Sequence, residues 1–259
     1  MTNNTNDPRD GDDKNVIYFP ALDKNKTKSS DTDEQVQWRK AYRAEQKQPF
    51  LNVGNIPIFT KIMTAAILLI SVPLLLARYL GMPDLLYNAS FQLGFVPERL
   101  TGAGFDILAL PTLFTHAFIH GDVMHLVFNA IMMLALGTLF ERHHGAKMTG
   151  VFFFICVLAG AGMYLAIAPA ATVPVIGASG GISGLFAATL MLLHDQNRGA
   201  IRSSMFARTG PWGMVAAWLV LMLVIGSLGG ANIAWQSHLG GYVAGAALYA
   251  LIRKGIFRV

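Results

Sequence analysis

Six apolar runs, each about as long as a bilayer is thick, govern what this chain can fold into. Ile62 to Leu80, Val123 to Phe140, Met148 to Ala168, Ser179 to Leu193, Trp212 to Ala231 and Trp235 to Ile252 read as spanning helices, because roughly 20 residues cross the hydrocarbon core. The expected fold is all-α: a polytopic membrane protein built as a six-transmembrane-helix bundle. Composition agrees. The chain is 53% hydrophobic and 14% charged, where a soluble domain carries about a quarter charged residues, so lipid must cover much of its surface. The fourth run is short, and a helix that starts inside the bilayer must give its first N–H groups a partner other than lipid. Its N-terminus, at Ser179, should therefore face protein or a water-filled cavity.

Charge is divided along the chain. The first 60 residues hold 9 Lys+Arg and 9 Asp+Glu, and residues 61 to 259 hold 11 and 6, so the net +5 belongs to the hydrophobic part. The basic residues cluster at the ends of the apolar runs and not on one amphipathic face, so the pI of 9.4 does not point to a nucleic-acid partner. The lipid bilayer is the expected partner. Residues 1–57, rich in Asn, Asp, Lys, Ser, Thr and Gln, cannot bury enough surface to order themselves and read as a flexible hydrophilic tail, with a membrane domain over 58–259. No cationic start leading into an apolar core and small-residue cleavage site is present, so no removable signal peptide is expected. Lys61, Arg142, Lys147, Arg198, Arg202, Arg208, Arg253, Lys254 and Arg258 fall on one side of the runs and only Arg78 and Arg99 on the other. By the positive-inside rule both termini are cytoplasmic, in the cell membrane. The loops Gly81 to Asp122, Pro169 to Ala178 and Gly226 to Ala234 are then external. The first, about 40 residues mixing Leu, Phe and Pro with Gly, reads as an interfacial element.

Polar residues within these runs are functional candidates, since each costs free energy in lipid. Ser179 in Gly177-Ala178-Ser179-Gly180 and His238 in Ser237-His238-Leu239-Gly240-Gly241 enter from the same side, and suggest a serine nucleophile with a histidine base. Each also has a structural reading, as a small residue at a helix contact and as a histidine bonded across the bundle. The pairs Gly180/Gly184 and Gly241/Gly245 are small-xxx-small spacings that pack helices closely, which a reaction between Ser179 and His238 also requires. The last run holds no Asp or Glu, so a dyad is expected and not a triad. His125 and Asn129, four apart, share a helix face and can donate hydrogen bonds. With the Ser179 amide they form an oxyanion site, or else a polar clamp between helices. His116, His120 and His125 with Asp122 invite a metal reading, but their spacing straddles a loop-to-helix junction and no Cys or Glu lies on another external segment. No metal and no cofactor are expected. Cys156, the single cysteine, reads as packing, and His143 and His144 read as residues of the opposite interface.

These residues carry a resemblance. His120-Gly121-Asp122-Val123-Met124-His125-Leu126-Val127-Phe128-Asn129, Gly177-Ala178-Ser179-Gly180 and His238-Leu239-Gly240-Gly241-Tyr242-Val243-Ala244-Gly245 match, in order, the His-x-x-x-Asn, Gly-x-Ser-Gly and His-x-x-Gly-x-x-x-Gly patterns of the rhomboid intramembrane serine proteases. The chain resembles that family over about residues 58 to 255. The resemblance implies a serine-type endopeptidase acting in or near transmembrane segments of single-span membrane proteins, with Ser179 as nucleophile, His238 as base, and His125, Asn129 and the Ser179 amide around the oxyanion. It further implies a first external loop partly embedded in the outer leaflet, and a gate made of Trp212 to Ala231 and Leu228 to Gln236. Polar His116, His120, Asn232, Gln236 and Ser237 are expected to line the water route. Two positions depart from the pattern. Pro111-Thr112-Leu113-Phe114 stands before Thr115-His116 where many relatives have Trp-Arg, and Ser183 stands where many place an aromatic residue against the histidine. A client-binding, catalytically inactive relative is the alternative function. A transporter is disfavoured by the absence of internal repeats.

Overall fold

The computed structural model describes residues 55–196 and 234–259, together with Gly213, Ala216, Trp218 and Val220. The tail, most of the fifth apolar run and most of the Leu228 to Gln236 loop lie outside the described residues. Within them the chain is helical, with a single isolated antiparallel bridge between Phe95 and Val175.

Helix α1, Ile58–Tyr79, starts four residues ahead of the apolar run. The cause is a remote cap. The N–H groups of Phe59 and Thr60 donate to the Glu141 carboxylate at 2.9 and 2.8 Å, and the Thr60 hydroxyl adds a third bond at 2.8 Å. A carboxylate there satisfies orphan amides and complements the positive end of the helix dipole. Met63, Ile67, Ser71 and Leu75 of α1 turn inward, while Ile62, Leu69 and Leu76 stay exposed, Leu69 at 75%. An apolar face of that kind is lipid-facing surface.

The long first loop is structured. It folds as α2, Pro83–Leu93, α3, Glu98–Thr101, a 3-10 turn at Ile107–Ala109, and α4, Thr112–Thr115, which runs into a second 3-10 turn at His116–Phe118. Arg99 ties it together, pairing with Asp106 at 2.6 Å and donating to the Phe91 carbonyl. Thr115 Oγ1 donates to the Leu93 carbonyl at 2.6 Å. Phe105, Ile107 and Leu108 remain exposed.

Helix α5, Val123–Met132, is capped by Asp122, whose carboxylate accepts the His125 N–H at 2.8 Å. It passes through a π turn, Met133–Gly137, into α6, Thr138–Ile167. Gly145 breaks α6 with φ 77° and ψ 166°, a left-handed conformation that glycine adopts without steric cost. The rings of Phe140 and Phe152 lie 4.6 Å apart, whereas twelve residues of straight helix would separate them by roughly 18 Å. The second and third apolar runs are therefore two antiparallel rods joined at Gly145.

Helices α7, Ser179–Gln196, and α8, Trp235–Arg253, pack against α6 through glycine. A Cβ at Gly241 would collide with the Gly180 backbone, one at Gly245 with the Gly184 backbone, and one at Gly160 would lie 2.8 Å from the Ser237 carbonyl oxygen. Each of the two helices carries three glycines. Among the described residues two stretches, Ile58–Tyr79 and Val123–Ile167, are long and apolar enough to cross a bilayer. Trp218 of the fifth run is helical and stacks on Phe186 of α7 with centroids 4.0 Å apart.

Side-chain contacts define two ends. At one end, Thr60 and Glu141 join the start of α1 to the Gly145 bend, His144 meets Tyr249 edge-on at 5.8 Å, and Arg253 pairs with Asp195 at 2.9 Å. At the other, Arg78 donates to the Gly121 carbonyl and Ser71 meets His120. Ser179 and His238 start their helices at this second end.

Candidate active site

Ser179 opens α7 from a turn that the first loop grips. Phe95 and Val175 exchange backbone hydrogen bonds at 2.9 and 2.8 Å, the Gly177 N–H donates to the His116 carbonyl at 2.8 Å, and the Ala178 N–H points to His120 Nε2 at 3.5 Å. Gly177 itself has φ +113°, and a Cβ there would fall 2.7 Å from the His125 ring. Glycine is required on both counts, by conformation and by the imidazole pressed against it.

His238 stands in the first turn of α8. Its Nε2 lies 2.7 Å from Ser179 Oγ, a full hydrogen bond between groups 59 residues apart in sequence. The Gly180–Gly241 approach sets this distance, because two helices bearing larger side chains could not bring so short a residue as serine to an imidazole. Both residues are half-buried. His238 Nδ1 is buried and has no hydrogen-bond partner among the described residues, so no described carboxylate orients the ring. A serine hydroxyl against an imidazole is an arrangement that can transfer a proton as the oxygen attacks a carbonyl carbon.

His125 and Asn129 share the inward face of α5. The His125 ring abuts Gly177 and meets the His120 ring edge-on, centroids 4.9 Å apart. That places it beside the turn that carries Ser179. Asn129 is 2% exposed, and its Nδ2 donates to the His125 carbonyl one turn back at 2.8 Å. The second amide proton remains for another acceptor. No direct bond joins Asn129 to Ser179 among the described residues.

The other histidines have separate employment. His116 is 1% exposed, with Nδ1 against the Thr112 carbonyl at 2.8 Å, and burial lowers its pKa to about 4. Burial, reinforced by the neighbouring His125, lowers that of His120 to about 3. Among the described residues no three His, Cys, Asp or Glu side chains group as a metal site. His143 and His144 bond back to the carbonyls of Leu139 and Phe140 at the opposite end. Buried Cys156 packs where a Cβ on Gly184 would go. Ser183 is also buried, and Ser237 fills the space beside Gly160 and Gly180. Of the residues expected along the water route, His116, His120 and Ser237 are buried, Gln236 is half-buried, and Asn232 lies outside the described residues.

Sequence reasoning did not find Ser71. Its hydroxyl donates to the Phe118 carbonyl at 2.9 Å and meets His120 Nδ1 at 3.0 Å. A lone serine in an apolar helix carries no signal of a partner 49 residues away.

The Rhomboid domain family model matches residues 109–255, more than half of the chain, and the chain belongs to the rhomboid family of membrane proteins. It is 30% identical over 171 residues to RHOMBOID-like protein 12, mitochondrial, of Arabidopsis thaliana, covering 58% of this chain and 48% of that one. It is 38% identical over 77 residues to Rhomboid-related protein 3 of Homo sapiens, covering 29% of this chain and 18% of that protein. The chain thus spans about half the length of the first relative and less than a fifth of the second.

Proposed function

We propose that this protein is an intramembrane serine endopeptidase whose Ser179–His238 dyad hydrolyses peptide bonds in or near the transmembrane segments of single-span membrane proteins. The 2.7 Å contact between Ser179 Oγ and His238 Nε2 carries the reading, and membership of the rhomboid family supports it. In this mechanism Ser179 Oγ bonds to the scissile carbonyl carbon while its proton passes to Nε2. The carbonyl oxygen, now negative, takes hydrogen bonds from the Ser179 amide, the His125 ring and Asn129 Nδ2. Collapse breaks the C–N bond, and His238 gives its proton to the departing amine. Water then attacks the acyl carbon as His238 accepts its proton, the Oγ–C bond breaks to release the carboxylic acid product, and His238 returns the proton to Ser179 Oγ. No cofactor enters any step.

The client helix must unwind locally, because helical carbonyls are hydrogen-bonded within their own backbone. Clients with Gly, Pro or small residues near the outer face are therefore favoured. The proposed setting is the cell membrane, with a six-helix domain over 58–259 and both termini in the cytoplasm. The test is to incubate the detergent-purified protein with a panel of single-span substrates and with a serine-reactive fluorophosphonate. Cleavage, with probe labelling that Ser179→Ala removes, is the expected result. Substrate association with neither cleavage nor labelling would replace the protease by an inactive, client-binding member of the family.

A further inference from the structure

We propose that His120 is a positioning residue for the nucleophile: with its proton on Nδ1, it holds the turn ahead of Ser179 through the Nε2 lone pair. The proposal rests on the protease reading above and adds to it a residue with no direct contact to the reacting atoms.

The tautomer follows from proton counting. The Ser71 hydroxyl has one proton, and it is 2.9 Å from the Phe118 carbonyl, an oxygen that can only accept. Toward His120, Ser71 Oγ must therefore act as acceptor, and the 3.0 Å contact requires a proton on Nδ1. A neutral imidazole then carries its lone pair on Nε2, the atom the Ala178 N–H faces. Both Ser71 and His120 are fully buried, with 0% exposure, and burial keeps the imidazole neutral near physiological pH. Were the ring doubly protonated, two N–H groups would confront each other at Ala178.

The other holds on this turn, from Phe95 and from the His116 carbonyl, are made by backbone atoms. Among these contacts His120 supplies the side chain, so it is where a substitution can alter the grip. Its 3.5 Å separation from the Ala178 nitrogen is long for a hydrogen bond, which makes it the adjustable contact, able to tighten when substrate fills the site. His120 also meets His125 edge-on, so the ring that faces Gly177 shares the support. A line of contacts runs from α1 through Ser71 and His120 to Ala178 and then Ser179.

Two amide replacements separate the nitrogen atoms. In His120→Asn the side-chain nitrogen takes the place of Nδ1 and keeps the Ser71 bond but offers nothing to Ala178. In His120→Gln the side-chain oxygen reaches the place of Nε2 and keeps the acceptor. The readout is fluorophosphonate phosphonylation of Ser179 in the full-length protein, in which Oγ bonds to phosphorus and fluoride leaves, resolved into probe affinity and phosphonylation rate, with a thermal melt of each variant. The expected result is a roughly 10- to 100-fold slower phosphonylation rate for His120→Asn at unchanged probe affinity, with His120→Gln much closer to the parent. Equal rates for His120→Asn and the parent, or losses in both variants that simply follow their melting temperatures, would overturn the proposal. Imidazole nitrogen NMR of the parent gives a readout independent of activity. Protonation at Nδ1, lost or exchanged for Nε2 in Ser71→Ala, supports the hold, and an Nε2-protonated His120 in the parent refutes it. A parent that shows the Nδ1 tautomer yet never reacts with the fluorophosphonate would remove the protease reading and leave the hold on Ala178 standing.

Discussion

At the scale of single residues, the proposed chemistry rests on one hydrogen bond. Ser179 and His238 meet at 2.7 Å with no described partner on His238 Nδ1, and in the proposed mechanism they act as a unit, nucleophile and base. Ser179→Ala and His238→Ala should each abolish cleavage, and the double variant should be no worse than either single one. Assays of all three against one substrate check this, and full turnover by either single variant would refute the dyad. Asn129 holds one amide proton on its own helix and has a second to give. Asn129→Ala should slow turnover by roughly 10- to 1,000-fold, the range for loss of an oxyanion donor. If only its melting temperature changes, the residue is a clamp. The buried loop histidines set a different response. The pKa values of His116 and His120, about 4 and about 3, lie below the ordinary value of about 6.5. As pH falls below that value the unfolded chain takes up protons the folded chain refuses, so the stability present above it is lost progressively toward the folded pKa values. Melts in detergent should fall from pH 7 to pH 5, before ordinary carboxylates titrate, and a flat profile would contradict the burial of neutral imidazoles.

At the scale of elements, glycine decides how close α6, α7 and α8 come. Gly241 faces the Gly180 backbone, whereas Gly162, on α6, has nothing within 4 Å of an added Cβ. Gly241→Ala should lower both melting temperature and the rate of Ser179 phosphonylation by a fluorophosphonate, because α8 must retreat and take His238 with it, while Gly162→Ala should leave both intact or raise stability by up to about 1 kcal/mol. Equal behaviour of the two would show that the α7–α8 approach does not set the site. These elements differ in how far the sequence disclosed them. The apolar runs of α1, α7 and α8 and the pair joined at Gly145 could be read from length and hydropathy, and their polar interruptions located Ser179, His238, His125 and Asn129. The start of α1 could not, because its cap is Glu141, 81 residues away from Thr60. Nor could the internal order of the first loop, where Arg99, Asp106 and Thr115 bond across turns that have no periodic pattern. Local sequence reports what a segment must bury. It does not report which distant group satisfies the backbone.

At the scale of the molecule, the two ends differ in what their cations do. Arg78 and Arg99, the exceptions to the charge bias, are both engaged locally: Arg78 donates to the Gly121 carbonyl at 3.0 Å, and Arg99 is paired with Asp106. The Arg99 guanidinium holds the Asp106 carboxyl below its usual pKa, aided by the Leu108 amide, so that pair adds no net charge to its end. The opposite end gathers Lys61, Arg142, Lys147, Arg253 and Lys254, with Arg253 paired to Asp195. Lys61 and Lys147 are exposed there. Five Lys and Arg at one end, facing two at the other, make the asymmetry that insertion reads, which is a count of Lys and Arg beside the spans. It follows that the Gly145 bend and both termini should face the cytoplasm and the Ser179 end the outside. Single cysteines placed at Ala146 and at Gly104 in a Cys156→Ala background distinguish the two faces. In intact cells a membrane-impermeant maleimide should label the Gly104 position and spare the Ala146 position until the membrane is opened. The reverse pattern would invert the molecule, and would turn Ser179 and His238 toward clients approaching from the other leaflet.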